Sequence, residues 1–153
     1  MKTKLEIKRE LFSLCKDYVD DKIQNAEEAI ESAQSSANEE TKSSSGDQYE
    51  TSRSMIQLEI EKYSEQLNDG LKLKKALSQI NIEKTYQTVL PGSLVITNNG
   101  NFFIAISAGK LIIDKSEYIA ISLSSPIGQS LYNKAVSDEI TFRDKVYLIK
   151  SIN

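Results

Sequence analysis

The side chains in this sequence that could carry out chemistry are of few types, and carboxylates are the most numerous of them. The chain of 153 residues contains no histidine, and its single cysteine is Cys15. This composition excludes Ser-His-Asp and Cys-His nucleophiles, zinc sites with histidine ligands, and an internal disulfide. A reaction catalysed by the chain alone would therefore depend on Asp, Glu, Lys or Tyr. Cys15 falls among apolar residues at helical spacing, which favours a core position over a nucleophilic role.

Two carboxylates, Asp47 and Glu50, stand together beside a break in the helical pattern. They follow a polar, glycine-containing run that begins at Thr41. An Asp with a Glu three residues later is typical of a capping box, in which each side chain accepts from a free backbone N–H at the start of a helix. From the residues alone, capping is the favoured interpretation. Tyr49 lies between the two acids and could stack on a nucleic-acid base or pack on its own helices.

Long helices on both sides must position this turn. Residues 1–80 contain no proline and only two glycines, and their apolar residues recur at steps of three or four. We expect an antiparallel coiled-coil hairpin over 1–80 with its tip near 43–50. Folding the chain back at Ser43 places Ile23 opposite Tyr63.

The apolar period changes after the hairpin. Residues 81–90 are expected to be a linker, and residues 91–153 a small antiparallel sheet domain with one helix, so the fold class is α+β. Ser125 can cap the helix and Pro126 can occupy its first turn. The predicted strands are Ser93 to Thr97, Asn101 to Ser107, Lys110 to Ile113, Glu117 to Leu123, Ile140 to Phe142, and Lys145 to Ile152.

Charge and hydropathy limit the partners and the compartment. The 19 basic and 22 acidic residues give a net charge of −3, so binding to free duplex DNA is not expected. The first ten residues carry charge throughout, and no stretch approaches the roughly 20 apolar residues that span a bilayer. A cytoplasmic monomer without membrane contact is predicted. A basic group near the hairpin base could meet an acidic partner, but solvation is favoured; it comprises Arg9, Lys72, Lys74 and Lys75.

The run from Ser124 to Glu139 resembles a known signature. It reads Ser-Ser-Pro-Ile-Gly-Gln-Ser-Leu-Tyr-Asn-Lys-Ala-Val-Ser-Asp-Glu and is similar to the "SPI…L.GK..GD" pattern in the C-terminal domain of the GreA and GreB transcript-cleavage factors. Upstream, Leu90 to Ile96 stands where that family enters its first C-terminal strand, and a long helical hairpin precedes it. The resemblance implies an FKBP-like domain, without isomerase activity, that docks on the rim of the RNA polymerase secondary channel. Ser125, Pro126 and Ile127 are the expected docking residues.

The resemblance also assigns a role to the two carboxylates at the tip. The family carries Gly-Asp-x-x-Glu there, and this chain reads Gly46-Asp47-Gln48-Tyr49-Glu50. Asp47 and Glu50 are thereby implied to act on Mg²⁺ shared with the polymerase active site, near the RNA 3′ end, and not held stably by the free protein. Oxygen ligands suit Mg²⁺, which commonly takes one or two protein carboxylates. The family usually reads Glu-Asn-Ala-Glu-Tyr from this Glu onward, whereas this chain reads Glu50-Thr-Ser-Arg-Ser54.

These features predict an accessory factor that stimulates the polymerase's own cleavage of backtracked RNA and is not itself an enzyme. The altered residues after Glu50 make a non-cleaving regulator of the same channel a second interpretation. An FKBP-like folding helper is a third, although the aromatic residues are dispersed and form no evident pocket. A condensing or acyl-transfer enzyme is disfavoured because the chain lacks histidine and length.

Overall fold

The chain folds into two long helices followed by a sheet with one short helix. The computed structural model describes residues 1–40 and 46–153, and the side chains of residues 1–39 and 52–153. The elements are α1 (Lys4–Glu40), α2 (Gly46–Ser78), β1 (Leu94–Thr97), β2 (Gly100–Ile104), β3 (Gly109–Ile113), β4 (Ser116–Ile121), α3 (Pro126–Leu131), β5 (Glu139–Phe142) and β6 (Lys145–Ile152). The predicted α+β class is confirmed at this level. Within the described ranges, no helix combines the length and apolarity needed to cross a membrane.

The chain divides into two compact units. One unit, which we call the sheet unit, joins Met1–Tyr18 to Lys75–Asn153, and the other, the helical unit, is Val19–Lys74. The first turns of α1 therefore belong with the sheet. Along α1 the buried apolar side chains recur at steps of four or seven, as an apolar stripe requires: Leu11, Cys15, Val19, Ala26 and Ala33.

The described strands form one six-stranded sheet in the order β3-β4-β2-β1-β6-β5. The sheet is mixed, because β2 and β4 run parallel with Phe102 beside Ile119. The expectation of a purely antiparallel sheet is therefore wrong. The β3–β4 hairpin turns back so that β4, the later strand, fills the place next to β2. Alternating apolar residues predict strands but not which strand lies beside which.

Side chains from one face of the sheet pack with α3 into an apolar core. Phe102 and Tyr147 meet edge to face with their ring centroids 5.8 Å apart. Leu131 of α3 is fully buried in the same cluster, and Ile127 packs against it. The remaining buried members are Val89, Val95, Ile104, Ile121, Ile140 and Ile149. This core holds α3 in place.

A buried lysine ties α1 to the rest of the sheet unit. Lys8 is 1% exposed, and its Nζ donates to the backbone oxygens of Lys84 and Asn153, each at 2.9 Å. The ammonium also lies 5.1 Å from the centre of the Tyr86 ring. One side chain of α1 therefore bonds to the segment after α2 and to the residue after β6.

In the helical unit, α1 and α2 meet closely at a glycine. A Cβ added to Gly70 would lie 2.8 Å from Cγ1 of Ile23, so the two backbones approach where no side chain intervenes. Ile23 thus faces Gly70, whereas folding the chain at Ser43 pairs it with Tyr63. The difference is 70 − 63, or seven residues, which is two helical turns and keeps the same stripe in contact.

An antiparallel alignment of α1 and α2 that continues from the contact of Ile23 with Gly70 would place small residues opposite large ones. If the antiparallel pair continues from the Ile23 to Gly70 contact, Ala26 lies opposite Leu67 and Ala33 opposite Ile60. Both alanines are buried and both larger partners are half-buried. This alternation fills the space between helices more evenly than large residues facing one another.

Replacing Gly70 with Leu should destabilise the helical unit by about 1–3 kcal/mol, because the new side chain has no room beside Ile23. Adding Ile23→Ala should restore part of that loss, giving a coupling of roughly 0.5–3 kcal/mol in a double-mutant cycle read by urea unfolding. The matched cycle of Ile23→Ala with Tyr63→Ala should show little coupling. Strong coupling at Tyr63 and none at Gly70 would favour the fold about Ser43 instead.

Candidate functional site

The side chains of Asp47 and Glu50 lie outside the described residues. Their backbone belongs to the first turns of α2, which begins at Gly46. Both the capping interpretation and the metal-directed interpretation therefore stay predictions. Among the side chains that the structure does describe, no group of three or more His, Cys, Asp or Glu could hold a metal ion.

The turn that begins α3 is built by Ser125. Its backbone is extended, with φ −70° and ψ 156°, and its hydroxyl oxygen accepts from the Gly128 amide at 3.1 Å. The same hydroxyl donates to the Ser122 carbonyl at 2.7 Å. Pro126 follows in the first helical turn, where its missing N–H removes no bond. The predicted cap and first turn of this helix are confirmed.

Gly128 lets the helix close tightly on the chain that leads into it. A Cβ at this position would lie 2.1 Å from the Ser122 carbonyl oxygen and 2.9 Å from Cα of Leu123. Both obstacles are backbone atoms, so they cannot move aside as a flexible side chain can. Gly128 was not singled out from the sequence, although it stands inside the quoted run.

Of the three expected docking residues, two are half-buried and one is exposed. Ser125 is half-buried, and its hydroxyl is engaged in the two bonds described above. Ile127 is half-buried against the core. Pro126 is exposed, and Tyr132 and Val136 nearby are each 49% exposed. The part of this segment that is open to a partner is thus Pro126 together with the residues after α3.

The chain leaving α3 needs a left-handed backbone at two positions. Asn133 has φ 60° and Ser137 has φ 77°, a region that glycine enters most easily. Asp138 fixes the segment between them, because its carboxylate accepts from the Ala135 amide at 2.7 Å. The segment also bonds to the strand-entry chain, with the Val89 amide donating to the Lys134 carbonyl at 2.9 Å. These contacts hold the end of the signature run rigidly.

The single cysteine and the basic residues near the hairpin base have surroundings that fit a structural or solvating role. Cys15 is fully buried, so the core position predicted for it is confirmed, and burial raises the pKa of its thiol to about 12. Arg9 forms a two-bond pair with Glu83, at 2.9 and 2.8 Å. Lys72, Lys74 and Lys75 are exposed, as expected for solvating charges.

Gly128→Ala should destabilise the sheet unit by about 3 kcal/mol, because the added methyl meets the Ser122 carbonyl. Gln129→Ala, on the exposed side of the same helix, is the matched control and should change stability by less than about 0.5 kcal/mol. Urea unfolding followed by tyrosine fluorescence or circular dichroism would measure both. Equal stability of Gly128→Ala and wild type would contradict the close approach.

Comparisons with protein-family models, with curated proteins and with solved structures find no match to this chain. The arguments for a function therefore come from the residues and from the geometry of the sheet unit. In the sheet unit, the segment that bears most directly on function is the run from Ser125 to Asp138, with its helix cap and its carboxylate hydrogen bond.

Proposed function

We propose that this chain is a transcription elongation factor of the GreA and GreB type. In this proposal it binds RNA polymerase, places the turn between α1 and α2 in the secondary channel, and stimulates cleavage of backtracked RNA by the polymerase. The chain is an accessory protein and performs no catalysis by itself. We also propose that the protein is monomeric and cytoplasmic.

The observation that best supports the proposal is the backbone of the signature run. The "SPI…L.GK..GD" pattern has glycine at two places, which fall on Asn133 and Ser137 in this chain. Both residues adopt positive φ, at 60° and 77°. The two positions at which the family pattern has glycine are thus the same two positions of this run that have a left-handed backbone, which glycine adopts most easily. Coincidental similarity of letters would not require that agreement.

Three other elements of the pattern also have a structural role here. Ser125 caps the helix, Leu131 is fully buried, and Asp138 accepts from a backbone amide. Such a run can be retained for folding while its exposed residues contact a partner. We therefore propose that Pro126, with Ser125 and Ile127 supporting it, forms part of the polymerase-docking surface.

The finer fold assignments belong to the same proposal. We assign an FKBP-like fold to the sheet unit and an antiparallel coiled coil to the helical unit. The mixed sheet with α3 on one face is compatible with the first assignment. The close approach at Gly70 and the seven-residue spacing of Val19, Ala26 and Ala33 support the second.

The proposed work of the tip falls to Asp47 and Glu50. Both residues offer hard oxygen ligands, and Mg²⁺ in the polymerase would supply an activated water and charge neutralisation at the scissile phosphate. The contribution of this chain would be to bring two negative charges to that place on a narrow support. Small residues along the outer half of α1, such as Ala33 and Ala37, keep the support slender.

A non-cleaving regulator of the same channel is the second candidate. The residues after Glu50 favour it, because the family's Asn and second acid are replaced and Arg53 brings a positive charge to this segment. A folding helper with an FKBP-like domain is a weaker third candidate.

Asp47→Asn and Glu50→Gln separate metal-directed chemistry from helix capping. Asn caps a helix about as well as Asp, and Gln keeps the capping-box geometry, so stability should change by less than about 0.5 kcal/mol. Either substitution should reduce Mg²⁺-dependent release of short RNA 3′ fragments from backtracked complexes by roughly 10²-fold or more. Binding to polymerase should persist.

Three outcomes decide between the candidates. Wild-type protein that competes for the channel but releases no fragment at any Mg²⁺ concentration would make the non-cleaving regulator correct. Two variants that cleave like wild type would reduce Asp47 and Glu50 to helix caps. Full-length protein that does not bind polymerase at all would remove both transcription candidates.

A further inference from the structure

The strand β3 forms one edge of the sheet and has free backbone groups. Its hairpin with β4 closes through Asp114 and Lys115, whose φ values of 50° and 69° define a two-residue type I′ turn. In such a turn the flanking pair, Ile113 and Ser116, is hydrogen-bonded, and bonded and non-bonded pairs alternate from there. The amides and carbonyls of Ile112 and Lys110 therefore point away from β4. No residue in the described part of the chain bonds to them.

A groove lies between this edge and the first turns of α1. It has a volume of about 350 Å³ and is lined by Glu10, Ser13, Leu14, Ile112, Ile113 and Asp114. All six residues belong to the sheet unit, so the groove is formed within one compact body. The Ile112 side chain is 58% exposed, and a Cβ on Gly109 would meet nothing within 4 Å. The edge is thus both apolar and open.

The combination of a strand edge and a facing helix suits an extended peptide. A peptide in this position can continue the sheet through its main chain while alternate side chains enter the groove. The floor offered by Leu14 and Ile112 is apolar, and the groove has the size of a small ligand pocket.

The charges at the groove select a basic peptide. Two carboxylates, Glu10 and Asp114, are bridged by the ammonium of Lys2, at 2.6 and 3.0 Å. The site thus already accommodates an ammonium between the two acids, and one net negative charge remains. The Asp114 side chain is 69% exposed and can turn towards a second cation.

We infer that this groove binds an extended segment of another protein in which an apolar residue and a Lys or Arg stand two residues apart, so that both side chains lie on one face of the strand. The segment adds to the sheet beside β3, its apolar side chain packs on Leu14 and Ile112, and its cation joins Glu10 and Asp114. Lys2 is then a competitor for the same carboxylates. This inference does not depend on the proposed function, because the groove involves neither the helical unit nor the signature run.

The test uses the full chain and the peptide Ac-Thr-Val-Thr-Lys-Thr-amide as probe, in which Val and Lys lie on one face of the extended strand. Binding should shift the amide resonances of Lys110 and Ile112 in a two-dimensional NMR titration. Two methylated versions, one at the Val and Lys amides and one at the amides of the second and third Thr, keep all side chains, and the version whose methyl groups face β3 should bind about tenfold more weakly. A peptide with Glu in place of Lys should also bind about tenfold more weakly, because it repels the groove acids.

Protein variants provide the complementary controls. Lys2→Ala should tighten binding of the Lys peptide by a few-fold, since the internal competitor is gone. Val146→Ala, at an exposed apolar residue on β6, should leave binding unchanged. The inference is overturned if no peptide shifts the β3 amides at millimolar concentration, or if both methylated peptides bind as well as the unmethylated one. It is also overturned if those amides shift with protein concentration alone, because a second copy of the chain would then occupy the edge.

Discussion

The burial of the Lys8 ammonium is the constraint on which the sheet unit depends. Removing a charged amine from water is costly unless hydrogen bonds replace its hydration. Here the backbone oxygens of Lys84 and Asn153 accept from Nζ at 2.9 Å, and burial lowers the pKa of the amine while nearby Glu83 raises it in part. The three chain segments must therefore stay together, because separating them would leave the charge or its acceptors without partners inside the protein.

Several other features follow from that junction. Asn153 exchanges two backbone bonds with Leu94, so the end of β6 is fixed to the start of β1. The Tyr86 hydroxyl, beside Lys8, donates to the Asn81 carbonyl at 3.0 Å and closes the segment after α2. Gly92, with φ 97°, then turns the chain into β1 where a Cβ would be 3.0 Å from both the Asn81 oxygen and the Tyr86 hydroxyl. Helix, linker and sheet thus share one tightly packed junction, and the groove beside β3 exists because α1 is held there.

The local spacing of apolar residues predicted most of the helices and strands but little of how they are arranged. The strand runs and the Ser125 cap follow from period and capping chemistry, and the structure confirms them. The break predicted near Thr41 lies outside the described residues. The parallel pairing of β2 with β4 depends on which strands become neighbours, which alternation does not encode. Gly70, and not Tyr63, lies beside Ile23, because apolar residues spaced by seven fit either alignment of the two helices equally well. In the sequence, Lys8 looks like an ordinary surface charge and Gly128 like an ordinary helical residue. The backbone atoms that surround each are brought there by the fold and cannot be identified from local pattern. The tip residues Asp47 and Glu50 remain assigned by resemblance.

The most direct test of the proposed function is where the tip lies when the protein is bound to RNA polymerase. A photo-crosslinking amino acid at Ser44 should attach to the polymerase subunit that holds the catalytic Mg²⁺, and excess wild-type protein should abolish the product. The same amino acid at Glu117, on the exposed β3–β4 hairpin, serves as the control and should not reach that region. Crosslinks from Ser44 to the active-site region are the result that the account predicts. Polymerase binding without such crosslinks, or active-site crosslinks from Glu117 alone, would contradict it.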